Sequence, residues 1–401
     1  AYEAISGNAM VVYSNNSNNP VYRIYHSGSW SAETNILGSA TGGVVEWVQL
    51  TSRPGSDEVA LVYSDANSDL FSIVWNGSSW DEAGSFSQLE TTLSTINQQS
   101  FNARYETLTG DLVVVWGKSG VGGLTYNTYD HTGTWASNLN FVYVGDEVPE
   151  AVYMEADPNS DRIGLIIDAS GGDLETAIWL GSSWSEAEEK DDGMGNSDNG
   201  DIRVAFSWVG STGKAVFIYD DNDLTGLAKW GDYEEGQGWN INNAISIPGL
   251  STIESVKMFG YQNSNKVHAL ISDSNFNLFS LEYDDSTGVW TVLNDGDALA
   301  STIHTTESVP FSASVNLQDT LLLASHQQNQ ETNSFSGSGS ETNAELFSFK
   351  LMPHHGNVMM NLTQLQFNLS LITGLSDSDF NEVQLIEDTD TDGTIDAGES
   401  A

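Results

Sequence analysis

Six tryptophans stand along this chain at nearly equal intervals: Trp30, Trp80, Trp135, Trp184, Trp239 and Trp290, separated by 50, 55, 49, 55 and 51 residues. A period near 50 is too long for a leucine-rich or ankyrin unit and suits one four-stranded propeller blade of roughly 40–50 residues. The surrounding text repeats as well. Val59-Ala-Leu-Val-Tyr-Ser-Asp65, Leu70-Phe-Ser-Ile-Val-Trp75 and Asn76-Gly-Ser-Ser-Trp80 are echoed by Ile163–Asp168, Leu174–Trp179 and Leu180-Gly-Ser-Ser-Trp184, and again by Val267–Asp273, Leu278–Tyr283 and Asp284–Trp290. Each unit reads strand, turn, strand, Gly-containing tight turn, strand.

A further strand precedes each set, as in Phe101–Tyr105, Ala151–Met154 and Ile202–Phe206, each followed by a turn signal. Second strands open near Glu58, Asp111, Arg162, Lys214, Lys266 and Thr320, and Ala9–Tyr13 makes a seventh. The expectation is an all-β, seven-bladed propeller over residues 1–356, with a six-blade count open because the end units are irregular. Second strands such as Leu112-Val-Val-Val-Trp116 are apolar almost without alternation, as for strands covered on both faces. The repeated tryptophan is read as packing between adjacent sheets, in preference to a sugar-stacking platform repeated once per blade.

Composition narrows the setting. With 56 acidic and 12 basic side chains the formal charge is −44, which disfavours nucleic acid and anionic membranes as partners and favours cations. Absent cysteines rule out disulfides and thiol chemistry, and no apolar run approaches the roughly 18–20 residues that span a bilayer. The first residue is Ala1, which fits a secreted product after signal cleavage and equally a piece of a longer chain. The expected place is outside the cell, at a cell surface.

The sharpest chemical motif lies at the end. Asp388-Thr-Asp390-Thr-Asp392-Gly393-Thr394-Ile395-Asp396-Ala-Gly-Glu399 matches a twelve-residue calcium loop: carboxylates at positions 1, 3, 5 and 9, glycine at 6, an apolar residue at 8 and glutamate at 12. Asp388, Asp390, Asp392, Asp396, Glu399 and the Thr394 carbonyl are the expected Ca²⁺ ligands. The flanks are not those of a helix–loop–helix hand, because Leu362–Leu371 alternates with period two and Val383-Gln-Leu-Ile386 enters the loop as a second strand. The stretch Leu362–Glu399 resembles the opening half of the calcium-binding β-sandwich modules repeated in large secreted bacterial surface proteins. That resemblance implies further strands after the loop, whereas here the sequence ends two residues later. Residues 357–401 are therefore expected to form a β appendage that is marginal alone and gains order by packing on its own chain or by strand addition to another copy.

Catalytic signals are weaker. Tyr129–Trp135 and Tyr283–Trp290 loosely resemble the Asp-box turns of sialidases, with the Asp-to-Gly spacing one residue too long. Arg23, Arg53, Arg104, Arg162 and Arg203 fall at differing strand positions, with Arg53 and Arg162 expected at surface turns. Abundant carboxylates remove the signal a glycosidase pair would carry, and His354-His355 has no third metal ligand at suitable spacing. The leading expectation is a non-enzymatic extracellular structural or adhesive protein, a self-assembling filament subunit with calcium-stabilised contacts. The alternatives are a carbohydrate-binding, lectin-like propeller and then a secreted glycosidase. A lectin requires exposed aromatics in grooves between blades, a glycosidase convergent carboxylates in the central channel, and a structural subunit neither of these but a large self-complementary contact.

Overall fold

A computed structural model describes residues 1–36, 42–81, 84–136, 140–142, 144–194, 203–221, 226–260, 264–301, 321–325 and 349–353. The chain divides into two compact units, Ala1–Val315 and Asn316–Ala401. In the second unit the described strands, Leu321–Ser325 and Phe349–Pro353, pair as an antiparallel hairpin.

The described part of the first unit is all-β apart from one 3₁₀ turn, and its strands form six antiparallel sheets. The second sheet sets the pattern: Val45–Ser52, Glu58–Asp65, Leu70–Asn76 and Ser87–Glu90 follow one another as a meander. Sheets three, four, five and six repeat it from Phe101, Pro149, Val204 and Ile253. The first sheet consists of Ala9–Tyr13, Val21–His26, Ser29–Trp30 and Thr34–Asn35, with Tyr2 bridged to Ala9 ahead of it.

Two local causes give each sheet its shape. The apolar second strands are covered on both faces: Leu112–Gly117 is buried throughout, and so are Glu58–Asp65 and Arg162–Ala169 beyond their first residue. The turn after the third strand needs a left-handed residue, supplied by Gly77 at φ +89° and Gly181 at φ +84°. Asn76 N–H then donates to Ser79 O at 3.0 Å, and Leu180 N–H to Ser183 O at 2.9 Å, which delivers Trp80 and Trp184 to the same place.

The first strands of sheets two to six touch in succession, Val45–Ser52 against Phe101–Tyr105, then Pro149–Ala156, Val204–Val209 and Ile253–Gly260. The sheets therefore stack side by side about these strands, and the apolar clusters lie between neighbouring sheets. One cluster joins Met10 and Val12 to Leu61 and Trp80; another joins Val113 and Val115 to Leu165 and Trp179.

The repeat is longer than the tryptophan spacing implies. First strands of sheets two, four and six begin at Val45, Pro149 and Ile253, 104 residues apart, and each opens with a register irregularity. Those of sheets three and five are shorter and pair without one. Sheets thus alternate between two kinds, which accounts for tryptophan gaps alternating near 50 and 55 residues.

Burial of the repeated tryptophans follows from this stacking. Trp80, Trp239 and Trp290 are buried and Trp135 and Trp184 half-buried, each packed toward the preceding sheet. Trp30 departs from the expectation: it belongs to the first sheet, is 49% exposed and packs at a tilt against Tyr25 of its own sheet. At Arg162 the turn is at the surface as expected, but the side chain is not. Its side chain is 15% exposed, paired with Asp157 at 2.7 Å and Glu235 at 3.0 Å, and lies 5.2 Å above Trp208 of the next sheet. A guanidinium with an apolar stem covers an aromatic face while its fork stays ion-paired.

Candidate functional site

Three aromatic clusters recur where an odd-numbered sheet meets the even-numbered sheet after it. Tyr22, Trp75 and Trp80 form the first, with ring centroids 5.7–5.8 Å apart. Tyr126, Trp179 and Trp184 form the second at 5.4–6.1 Å, and Trp230, Tyr283 and Trp290 the third at 5.3–6.2 Å. Tyr22, Tyr126 and Trp230 are each 104 residues apart, as are Trp75, Trp179 and Tyr283. The rings supplied by the odd sheets are partly exposed.

The clusters are anchored differently. Trp75 Nε1 donates to Glu3 Oε1 at 2.6 Å and Trp179 Nε1 to Glu106 Oε1 at 2.5 Å. Burial raises the Glu106 carboxyl above its ordinary value, opposed by hydrogen bonds from Thr109 and Trp179. Trp80, Trp184 and Trp290 leave their buried indole N–H groups without an acceptor. Each stands nearly perpendicular to the odd-sheet ring beside it, at 83°, 78° and 78°, the arrangement in which an aromatic face replaces an oxygen as partner. Burial also pushes the Tyr22, Tyr126 and Tyr283 phenols above their ordinary values, so all three are neutral at physiological pH.

A groove opens at the third cluster. The outer strand of sheet five is interrupted: Gly238–Ile241 pairs with the third strand, and Ile245–Ser246 pairs further along it. Between the two pieces, Asn242 N–H donates to Trp230 O at 2.9 Å and Asn242 Nδ2 to Asp232 Oδ1 at 3.2 Å, while Asn243 and Ala244 are exposed. This break and the outer strand Val289–Val292 of sheet six enclose a groove of about 620 Å³, lined among others by Trp230, Asn242, Asn243, Ser246, Trp290 and Thr291. Partly exposed indole beside amides and hydroxyls is the composition that receives a molecule with one apolar face and a polar edge. The lectin expectation of exposed aromatics is met only in part, since Trp230 is half-buried and Trp290 buried.

A second cavity, of about 220 Å³, lies among the first strands of sheets two to six. Among the described residues its one lining carboxylate, Glu155, is paired with Arg104 at 3.1 Å, so they do not assemble there the two converging carboxylates of a glycosidase. The sialidase-like turns are structural. Asp130 Oδ1 accepts the Thr132 and Thr134 N–H groups, and Asp284 Oδ1 accepts Ser286 N–H, each closing its own turn.

The expected calcium ligands Asp388, Asp390, Asp392, Thr394, Asp396 and Glu399, the pair His354-His355 and the alternating segment Leu362–Leu371 lie outside the described residues. Among the described residues no group of three or more His, Asp or Glu side chains is arranged to hold a metal ion. Of the five arginines, Arg104 lines the central cavity, whereas Arg162 and Arg203 serve ion pairs with Asp157 and Asp220. The groove was missed from sequence because Trp230 lies outside the 50-residue tryptophan series. Its 104-residue register with Tyr22 and Tyr126 was the available signal.

No protein-family profile matches this chain, and no curated protein does. Solved structures do match. The BP39L lectin from Burkholderia pseudomallei is similar at a TM-score of 0.54 and 13% identity, over 75% of this chain and 83% of that one. The Aleuria aurantia lectin, in complex with Fucα1-6GlcNAc, aligns over 74% of this chain and 95% of its own at 15% identity and a TM-score of 0.40. AofleA from Arthrobotrys oligospora aligns over 77% and 88% at 13% identity and a TM-score of 0.42. At such identities the likeness to BP39L is one of fold: an all-β, propeller-like array of four-stranded sheets.

Proposed function

We propose that this chain is a carbohydrate-binding propeller that takes a sugar ring in the groove between its fifth and sixth sheets. The observation that carries this reading is the groove itself, where the half-buried Trp230 offers a ring face and Asn242, Asn243, Ser246 and Thr291 offer hydrogen-bonding groups. A pyranose has the complementary surface, an apolar face of C–H groups and a rim of hydroxyls. The fold likeness to a bacterial lectin supports the same reading. It displaces the filament subunit as the leading reading, because this groove and the fold likeness both favour a sugar ligand.

The finer expectations form part of this proposal. The hairpin of Leu321–Ser325 and Phe349–Pro353 occupies the chain position of the second and third strands of a seventh blade. Asp388, Asp390, Asp392, Thr394, Asp396 and Glu399 bind Ca²⁺ in an appendage after residue 356, the protein works outside the cell, and copies associate to present several grooves at once. Binding to a panel of immobilised neutral and fucosylated glycans tests the central reading. Trp230→Ala should weaken the best ligand by about tenfold or more, as loss of an aromatic platform of roughly 1.4 kcal/mol requires, while Trp30→Ala should not. No binding across the panel, or equal binding by both variants, refutes it.

A further inference from the structure

The cavity among the first strands carries charge that the groove does not explain. Two of the chain's twelve basic residues, Arg104 and Lys257, line it together with the single carboxylate Glu155. Arg104 is committed: its guanidinium pairs with Glu155 at 3.1 Å and donates to Asn102 Oδ1 at 3.0 Å and Ala103 O at 2.9 Å. Lys257 has no hydrogen bond or ion pair among the described residues. Formal charges in the wall therefore leave one cation over, inside a chain of net charge −44. A lysine held among packed strands with no counter-ion of its own is costly: burial pulls its ammonium below the ordinary lysine value, opposed at longer range by the Glu155 carboxylate that Arg104 already engages.

The internal repeat makes this placement more pointed. Gln49, Tyr153 and Lys257 lie 104 residues apart, at the same place in the first strands of sheets two, four and six, and all three line the cavity. At structural positions the repeat keeps its residues, as in Leu70, Leu174 and Leu278. At the cavity wall it carries three different chemistries. The wall is also rigid: Gln99 Nε2 donates to Gln49 Oε1 at 3.0 Å, Gln49 Nε2 to Asn102 Oδ1 at 2.6 Å, and Asn102 Nδ2 to Val152 O at 2.8 Å. Trp47 and Phe206 add apolar surface. A volume of about 220 Å³ leaves room for a small molecule.

We propose that this axial cavity binds a small organic carboxylate of the size of an acidic monosaccharide, with the Lys257 ammonium as counter-ion of the carboxylate and the Trp47 and Phe206 rings against its carbon skeleton. The anion supplies the partner that Lys257 lacks, and the wired amides hold the cavity open for it, so little ordering is required on binding. The site is separate from the groove and stands whether or not the groove binds sugar.

Titration calorimetry of the full chain with sodium glucuronate, D-glucose, acetate and phosphate tests this. Glucuronate should bind, with glucose and acetate each weaker by about tenfold or more, as loss of a charge-assisted hydrogen bond or of the ring contacts implies. Lys257→Met should weaken glucuronate by a similar factor and Lys257→Arg should restore it. Since Lys257→Met removes a desolvated cation, its melting temperature should equal or exceed that of the parent, and Lys257→Arg should stay within a few degrees, so loss of binding is not loss of fold. Trp230→Ala should leave glucuronate binding unchanged, which separates this site from the groove. Absence of heat with glucuronate, equal affinity for glucose, acetate or phosphate, or unchanged binding by Lys257→Met would overturn the proposal.

Discussion

Replacing the same repeat tryptophan in two different sheets should have very different consequences. Trp80 is 9% exposed and packs between Tyr22 of the first sheet, 5.8 Å away, and Trp75 of its own, 5.7 Å away. An indole buries about 200 Å², and at about 25 cal/mol per Å² its removal costs roughly 5 kcal/mol as an upper bound. Trp80 Nε1 has no acceptor, so truncation orphans no hydrogen-bond partner and the loss is one of packing alone. Trp80→Ala should therefore destabilise by about 3–5 kcal/mol. Trp30, at 49% exposed and tilted against Tyr25, leaves no closed cavity, and Trp30→Ala should stay within about 1 kcal/mol. Urea unfolding followed by far-UV circular dichroism compares the two at constant m-value. Equal losses would show that burial between sheets does not set the energetic role of this position.

Other outcomes follow from the charges. Asp168 and Glu175 are both pushed up to about 8, first by burial and then by neighbouring carboxylates, Glu150 for Asp168 and Asp173 and Glu189 for Glu175. Their folded values lie above their unfolded ones, so the folded chain holds extra protons between about pH 4 and pH 8 and stability falls as pH rises through that window. A melting-temperature series should show this decline, less steep in Asp168→Asn; a rise with pH would contradict it. Arg162→Met should cost about 3–5 kcal/mol, because it strands the Asp157 carboxylate, 1% exposed, without its counter-ion; urea unfolding measures it, and a change under 1 kcal/mol would show Asp157 to be satisfied without Arg162. Calorimetric Ca²⁺ titration should show a binding heat that Asp388→Ala combined with Glu399→Gln abolishes, and persistence of that heat would exclude the C-terminal loop.

The strands were legible because both of their signals are local. A run such as Leu112–Trp116 needs cover on both faces, and Asn76-Gly77 needs a left-handed turn wherever it occurs, so second strands begin at or within one residue of Glu58, Asp111, Arg162, Lys214 and Lys266. Tryptophan burial was only partly legible. It depends on which sheet stands beside the ring, and Trp30 and Trp80 both follow a short Gly/Ser turn that does not announce their different burial. Arg162 misled for a related reason: its turn is at the surface, while its side chain reaches Trp208 of the next sheet. The groove and the axial cavity were least legible, since Trp230 with Asn242, and Gln49 with Lys257, meet only through the 104-residue register. Tyr22, Tyr126 and Trp230 carried that register in plain sight, but a search at the 50-residue tryptophan period passes over it.

The indole N–H resonances offer the most direct test of carbohydrate recognition. In ¹⁵N-labelled protein titrated with the best glycan of the panel, Trp230 and Trp290, which line the groove, should shift in proportion to saturation. Trp116 and Trp208, whose N–H groups are bonded to Glu90 and to the Glu155 carbonyl inside the sheets, should stay still. Saturable binding that leaves Trp230 and Trp290 unmoved, or no shift with any glycan, would contradict the account.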